Sequence, residues 1–314
     1  MQWLNSKLDC YKSVVVANAP CSFGAFEITV PGNPHVPAAT DLLDCVRDAG
    51  YAGVDLGPPG YLGLPAEVAE RLADRGLGLA GGYLQLPLSE PDALAASLPE
   101  LDRLLDVFAS LAGQRRLPVA TLADAGSAAR RAHPGGTVSD PDAVLDEAGW
   151  VRFLAGLELV AERCRERGFA AVLHPHAGTF VEAGWEIERV LEGSDVELCF
   201  DPAHLVVGGV DPVAAMRAWG ARVGHVHLKD VDRAALERLT AASAPVEEIY
   251  SSGAFCRLGA GSAAVETLLS LLAEAGYEGW LVVEQDLVPD SEEAVAQGVR
   301  DQVANREFLR ARGL

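Results

Sequence analysis

The 314-residue chain is short of positive charge, since its 25 Lys and Arg residues face 45 Asp and Glu residues, a formal net charge of −20 at pH 7. Such a charge disfavours general nucleic-acid binding, which needs a basic surface to displace counterions from phosphates. No apolar run reaches the ~18 residues of a membrane span, and the first residues lack the apolar core of a signal peptide. We therefore expect a cytoplasmic protein with neither a nucleic-acid nor a membrane partner.

Cysteines with paired spacing are also missing. The six that occur are scattered, with no CxxC pair, and this pattern is typical of reduced thiols in the cytosol rather than of a disulfide framework or a zinc knuckle. They are Cys10, Cys21, Cys45, Cys164, Cys199 and Cys256.

Short β-rich apolar runs alternate with helical stretches along the whole chain. Eight strands are predicted: Ser13–Ala19, Gly53–Leu56, Leu77–Leu84, Leu117–Leu122, Ala170–His176, Val196–Asp201, Val223–Lys229 and Trp280–Asp286. The predicted helices are Thr40–Asp48, Ala66–Arg75, Pro91–Leu111, Ala148–Arg167, Trp185–Leu191, Pro212–Arg222, Arg233–Ala242, Ala263–Ala275 and Glu292–Arg312.

Eight strand–helix units without a break in composition predict an α/β fold, a single (β/α)8 TIM barrel in one domain over residues 1–314. The alternative is an open, doubly wound sheet of the Rossmann type. That fold carries a GxGxxG turn after its first strand, whereas residues 19–24 read APCSFG. The barrel is therefore the favoured fold.

Polar side chains cluster at the ends of four successive predicted strands. Alternation along Val223–Lys229 places His225, His227 and Lys229 on the face that points into the barrel. Active sites of such barrels lie at the carboxyl ends of the strands, where His174 and His176, Asp201 and Glu284 also fall. These side chains are therefore expected to face one mouth.

The combination of imidazoles and carboxylates at this mouth predicts a divalent-metal site. Five of the seven histidines lie between His174 and His227. Imidazole plus carboxylate ligation suits Mn²⁺, Co²⁺, Fe²⁺ or Zn²⁺. Any one of these histidines alone would be interpreted as a hydrogen-bonded interior residue, but burying the whole set without a charge partner would be costly.

Lysine is rare in this chain, and one of the three is at the predicted mouth. Lys7, Lys12 and Lys229 stand against 22 arginines. A compact amine at an inward strand end suits substrate binding or proton transfer. The alternative is a structural salt bridge of Lys229 with Asp230 or Asp286.

Six segments together resemble the xylose-isomerase-like TIM-barrel superfamily, the sugar phosphate isomerase/epimerase group, and within it the inosose (2-keto-myo-inositol) dehydratase-like proteins. They read APCSFGAFE (19–27), GVDLGPPGYL (53–62), HPHAGT (174–179), FDPAH (200–204), HVHLKD (225–230) and VEQD (283–286). The resemblance implies one metal ion held by His174, Asp201, His227 and Glu284, with Mn favoured among Mn, Co, Fe and Zn. It implies that His176 and His204 face the substrate, that Lys229 contacts it, and that the substrate is a small polyhydroxy ketone.

One departure bears on the reaction. Sugar epimerases of this group have a glutamate where this chain has His174, and a metal-bound imidazole is a poor second base. We therefore expect a metal-dependent lyase, in which one base enolises the ketone and a β-hydroxyl leaves, in preference to a ketose isomerase or 3-epimerase. His176 or Glu284 would take the α-proton.

The remaining roles at the mouth are assigned as follows. Lys229 or His204 would protonate the departing hydroxyl or the oxyanion. The candidate substrate-binding residues are Glu27, Asp55, His225 and Arg257.

Three other functions stay open at this point. They are an endonuclease IV-like phosphodiester hydrolase with a zinc cluster, a Schiff-base aldolase that uses Lys229, and a barrel without catalytic activity. The segment Gly259–Ser262 is interpreted as a plain loop in preference to a phosphate cradle. The loop 124–140, with Arg130, Arg131 and His133, is interpreted as solvated in preference to a lid. A homo-oligomer is left open.

Overall fold

The chain forms a parallel sheet that curves into a nearly closed barrel. The computed structural model describes residues 11, 13–30, 32–111, 113–135 and 141–314. The strands of this sheet are β1 (Val15–Asn18), β2 (Gly53–Val54), β3 (Gly78–Leu79), β4 (Gly81–Leu86), β5 (Val119–Asp124), β6 (Ala170–Leu173), β7 (Glu197–Phe200), β8 (Val223–Leu228) and β11 (Trp280–Val283). All eight predicted strands are present in the predicted order.

The third predicted strand is divided into two pieces, β3 and β4, at Ala80. Strand β3 pairs with β2 and β4 pairs with β5, both in parallel. The Ala80 N–H donates to the Val54 carbonyl (2.8 Å), and the Ala80 carbonyl accepts from the Val119 N–H (3.1 Å). Since one residue bonds to both neighbours, the barrel continues across the break, and the fold class is a (β/α)8 TIM barrel, as predicted.

Helices follow the strands and cover the outside of the barrel. In chain order they are α1 (Ala39–Ala49), α2 (Pro65–Ala73), α3 (Pro91–Ser110), α4 (Ala128–Ala132), α5 (Glu147–Glu166), α6 (Gly184–Gly193), α7 (Pro202–Val207), α8 (Pro212–Trp219), α9 (Arg233–Ala241), α10 (Val246–Ser251), α11 (Val265–Glu274) and α12 (Glu292–Arg310). The additions to the predicted pattern are helices α4, α7 and α10 and a two-stranded antiparallel sheet of β9 (Asp230–Val231) and β10 (Phe255–Cys256). In the described parts of the chain, no helix is both long and apolar enough to cross a membrane.

The two faces of the strands separate the core from the site. Val226 and Leu228 of β8 are buried in the main hydrophobic core, while His225 and His227, which alternate with them, point inward. The floor of the barrel is closed by Trp280, whose ring would lie only 2.7 Å from a Cβ on Gly53 and 2.9 Å from one on Gly78. Glycine at these two positions is therefore what admits the indole ring.

Candidate active site

Four side chains converge where β6, β7, β8 and β11 end. His174 Nε2 lies 3.2 Å from His227 Nδ1 and 3.9 Å from Asp201 Oδ2. His227 Nδ1 lies 3.4 Å from Glu284 Oε1. All four residues are at most 8% exposed. The structure therefore brings together the four residues that the resemblance implies as metal ligands.

Hydrogen-bond partners outside this set orient the ligand atoms. His174 Nδ1 donates to the Pro175 carbonyl (2.9 Å), which leaves a lone pair on Nε2. His227 Nε2 faces Asp55 Oδ2 at 3.5 Å, and a carboxylate there favours the tautomer with its lone pair on Nδ1. Asp201 Oδ1 accepts from the amides of Ala203 (2.9 Å) and His204 (3.2 Å).

The resulting arrangement fits a bound divalent cation. His174 Nε2 and His227 Nδ1 lie 3.2 Å apart, a distance at which the two nitrogens share either a proton or a cation. Asp201 Oδ2, aimed at the same point, is buried and has no hydrogen-bond partner within the described residues. Two imidazoles and two carboxylates suit Mn, Fe, Co or Zn. Asp201, His227 and Glu284 each have one ligand atom, an oxygen or a ring nitrogen, and these three atoms lie within 4.8 Å of one another.

Lys229 is held by three carboxylates beside this set. Its Nζ lies 2.8 Å from Asp286, 2.9 Å from Glu284 and 3.5 Å from Asp201. Burial alone would lower the pKa of Lys229, but Asp286 and Glu284 raise it well above its usual value. The lysine is therefore a fixed cation at the mouth, and the salt bridge with Asp286 belongs to the site.

Two histidines stack beside the ligands. The rings of His176 and His204 lie 3.9 Å apart. His176 lines the cavity, and burial, with Lys229 nearby, lowers its pKa to about 3, so the imidazole is neutral. His204 lies behind it: its Nδ1 accepts from the Ala177 amide (3.3 Å) and its Nε2 faces Lys229 Nζ (3.5 Å).

The four predicted substrate-binding residues are at different places. Glu27 and Asp55 line the cavity, which holds about 140 Å³. Partial removal from water and the nearby carboxylates, Glu284 first, raise the pKa of Glu27. His225 lies one layer deeper than His227, fully buried, and neither ring nitrogen has a hydrogen-bond partner within the described residues. The Arg257 side chain is 56% exposed and faces Asp301 (3.8 Å), away from the lining of the cavity.

Aromatic rings form part of the wall of the cavity. Tyr83 and Phe26 line the cavity, and Phe255 lies 5.2 Å from Lys229 Nζ. Phe23 belongs instead to the main core behind the sheet.

The loop Gly259–Ser262 is not a phosphate cradle, because a carboxylate already occupies its amides. Asp230 Oδ2 accepts from the N–H groups of Gly259 (2.9 Å) and Gly261 (3.0 Å), and its Oδ1 accepts from that of Ala263 (3.0 Å). Asp230 is 1% exposed. The plain-loop interpretation is therefore the correct one.

The loop after β5 differs from the solvated loop that the sequence predicts. Arg130 is 3% exposed, donates to the Thr179 carbonyl (2.7 Å) and pairs with two buried glutamates, Glu182 (3.4 Å) and Glu186. Arg131 lines the cavity and pairs with Glu247 of α10 (2.5 Å). The buried ion pairs attach this loop to the loop that carries His176; residues 136–140 lie outside the described residues.

Sequence reasoning missed Tyr250 and Asp286 as members of the site. Both line the cavity. Asp286 lies two positions after Glu284 in the predicted strand Trp280–Asp286, so alternation along that strand already places both side chains on the same face. Tyr250 is on α10, a short helix between β9 and β10 that has no strong sequence pattern.

The comparisons with known proteins agree with this fold. A family model described as xylose isomerase-like TIM barrel matches residues 43–309. The chain belongs to the xylose isomerase-like TIM barrel family. It is 33% identical over 266 residues to the rhizopine catabolism protein MocC of Rhizobium meliloti, covering 82% of this chain and 78% of that protein.

Two further comparisons give one relative in sequence and one likeness in fold. Inosose dehydratase 2 of Bacillus cereus is 30% identical over 169 residues, 53% of this chain and 55% of that protein, so this chain spans about half its length. The crystal structure of IOLI protein with a binding zinc atom superposes with a TM-score of 0.65 at 13% identity, covering 94% of this chain and 98% of that one. At this identity, the last likeness shows the fold alone.

Proposed function

We propose that the protein is a metal-dependent lyase that dehydrates a small polyhydroxy ketone, with an inosose as the substrate class. The convergence of two imidazoles, His174 and His227, with the buried carboxylate of Asp201 carries this proposal, because these groups would hold a cation beside a cavity lined by proton-transfer groups. The likeness to inosose dehydratase 2 over about half its length supports the substrate class.

His174, Asp201, His227 and Glu284 would hold the metal ion. When bound there, the ion supplies Lewis-acid polarisation of the substrate ketone. Mn is the favoured ion, as the resemblance of the sequence implies.

His176 is assigned as the base that removes the α-proton. It is neutral, lines the cavity, and carries a lone pair on Nε2 because its Nδ1 faces the Ala177 carbonyl at 3.2 Å. Glu284, the alternative base, is occupied by Lys229 at 2.9 Å and by the ligand cluster. Lys229 would hold the developing enolate oxygen as a fixed hydrogen-bond donor.

The identity of residue 174 favours dehydration over epimerisation. A 3-epimerase needs a second base on the opposite face of the substrate, and the imidazole of His174 is directed into the ligand cluster by its bond to the Pro175 carbonyl. A ketose isomerase or 3-epimerase is the alternative that the experiment below distinguishes by its product.

The experiment measures metal content by elemental mass spectrometry, and solvent deuterium uptake and dehydration with inososes and ketoses. Wild type is compared with Asp201→Ala and with a matched control, Asp211→Ala, which removes a surface helix cap. We expect about one divalent ion per chain, lost only in Asp201→Ala, and metal-dependent dehydration of an inosose.

Other outcomes would contradict the proposal in distinct ways. An epimer formed without loss of water would indicate the epimerase. Near three zinc ions per chain would favour the nuclease. A protein that takes up no metal after reconstitution would refute the mechanism. A single domain over residues 1–314, a cytoplasmic location and homo-oligomerisation stay predictions that size-exclusion and localisation experiments address.

A further inference from the structure

Helix α5 presents an apolar stripe to solvent. Val151 and Leu159 of this helix are 69% and 51% exposed, and Ala155, midway between them, is also exposed. Residues four positions apart are neighbours on one face of a helix, so the three side chains form a continuous row. Large apolar side chains that are exposed singly are ordinary on a protein surface, whereas a contiguous apolar patch marks an interaction site.

A groove runs beside this stripe, between α5 and α3. It holds about 470 Å³, and its apolar lining is Leu98 of α3 with Ala155 and Leu159. Arg163 and Asp102 join the two helices there through two hydrogen bonds of 2.7 Å. The same face therefore carries raised apolar side chains and, next to them, a groove whose two walls are held together.

The charges of this face differ between the two halves of α5. In the carboxyl half, the groove is also lined by three glutamates, Glu158, Glu162 and Glu166. Arg165 pairs with Glu158 (2.6 Å) and with Glu162 (2.5 Å), so one arginine serves two carboxylates. In the amino half, the exposed Arg152 donates through Nε to the Ser89 carbonyl (3.0 Å) and forms no ion pair within the described residues. An arginine that lacks a carboxylate and an excess of carboxylates thus lie on opposite sides of Ala155.

We propose that this face of α3 and α5 binds a second copy of the chain in a two-fold symmetric contact. A two-fold axis beside Ala155, perpendicular to α5, packs the two copies of the helix antiparallel. Arg152 and Glu158 lie three positions before and after Ala155, so the axis brings Arg152 of each copy to the level of Glu158 of the other. Val151 and Leu159, four positions before and after Ala155, meet in the same way and form the apolar centre.

A second copy is the partner that the face itself specifies. Each copy offers the same apolar centre and an unpaired charge of each sign, so one contact forms two Arg152–Glu158 pairs around the stripe. None of these side chains lines the cavity at the mouth of the barrel. Assembly through this face is therefore independent of the function proposed above, and it is measured without metal or substrate.

The test is the mass of the protein in solution, measured by sedimentation velocity over a series of concentrations. Arg152→Glu and Glu158→Arg each place like charges across the proposed contact, and the double variant restores opposite charges with reversed polarity. Arg217→Glu, at an exposed position of α8, is the matched charge control. The melting temperature of every variant is measured to verify folding.

A second pair of variants tests the apolar centre. Val151→Lys places an amine in the stripe, and Leu64→Lys is its control, because Leu64 is 70% exposed and lies at the start of α2. Both substitutions replace an exposed side chain, so neither removes a residue of the core.

We expect the wild type to sediment as a dimer. Val151→Lys and each single charge variant should raise the dimer dissociation constant about tenfold or more, and the charge-swapped double variant should regain most of the wild-type affinity. A wild type that is monomeric over the whole series would overturn the proposal. A dimer that the three single variants leave intact, or that the controls weaken equally, would overturn it in favour of another surface.

Discussion

Asp55 Oδ2 and His227 Nε2 face each other at 3.5 Å inside the barrel, on the side of the imidazole opposite the ligand cluster. Asp55 Oδ1 accepts the Leu56 amide (2.7 Å), which fixes the orientation of the carboxylate. The aspartate therefore faces a proposed metal ligand in addition to lining the cavity.

Replacing Asp55 by Asn should weaken metal binding. The side-chain oxygen of Asn would stay on the Leu56 amide, so its NH₂ group would meet the N–H of His227 and disfavour the ligating tautomer. We expect about 10- to 100-fold lower metal affinity, measured by competition with a chelating dye. Asp211→Asn, on the surface, is the control; equal affinities in the two variants would refute the orienting role.

Borohydride should leave Lys229 unmodified in the presence of ketoses. A Schiff base requires a neutral amine, whereas Asp286, Glu284 and Asp201 hold this side chain as an ammonium ion. Intact-mass spectrometry after borohydride treatment should show the mass of the protein alone. An adduct that maps to Lys229 would revive the aldolase alternative.

Asp230→Ala should destabilise the protein by about 3 kcal/mol, because it leaves three loop amides without their carboxylate acceptor. Asp232→Ala is a close control that removes only the cap of α9, for which we expect about 1 kcal/mol. Urea unfolding measures both free energies. Equal losses in the two variants would show that the Asp230 bonds add no more than an ordinary cap.

The buried carboxyl of Glu182 should make stability depend on pH. Burial raises its pKa from the ordinary 4.5 to about 7, against the lowering effect of Arg130. Between these two pH values the folded protein keeps a proton that the unfolded chain has already lost. The contribution of this carboxyl to the free energy of unfolding is therefore fully present below pH 4.5 and is lost as pH rises to about 7.

Glu182→Gln removes this titration. The melting temperature of the variant, relative to wild type, should therefore rise between about pH 5 and pH 8. The exposed Glu188→Gln serves as control. A difference that stays constant with pH would contradict the prediction.

The sequence predicted the strands, and the cluster of histidines and acids at their ends, because both follow local patterns; the choice of four metal ligands from that cluster is what the resemblance implies. Alternation along β8 separates His225, His227 and Lys229 from Val226 and Leu228, and barrel topology brings the strand ends together. Such patterns do not show how deep a side chain lies in the barrel or where a loop residue is placed. His225 shares a face with His227 but lies one layer lower. Arg257 points toward Asp301, and Tyr250 reaches the cavity only because α10 packs over it.

The indole ring of Trp280 fills the floor of the barrel between Gly53 and Gly78. Under the proposed function, substrate and product would consequently enter and leave at the opposite end of the barrel. Substrate, and the water that a dehydration releases, must share the entrance beside Tyr250 and Glu27. Under the proposed function, departure of the organic product and renewed hydration of the cavity would both use this opening.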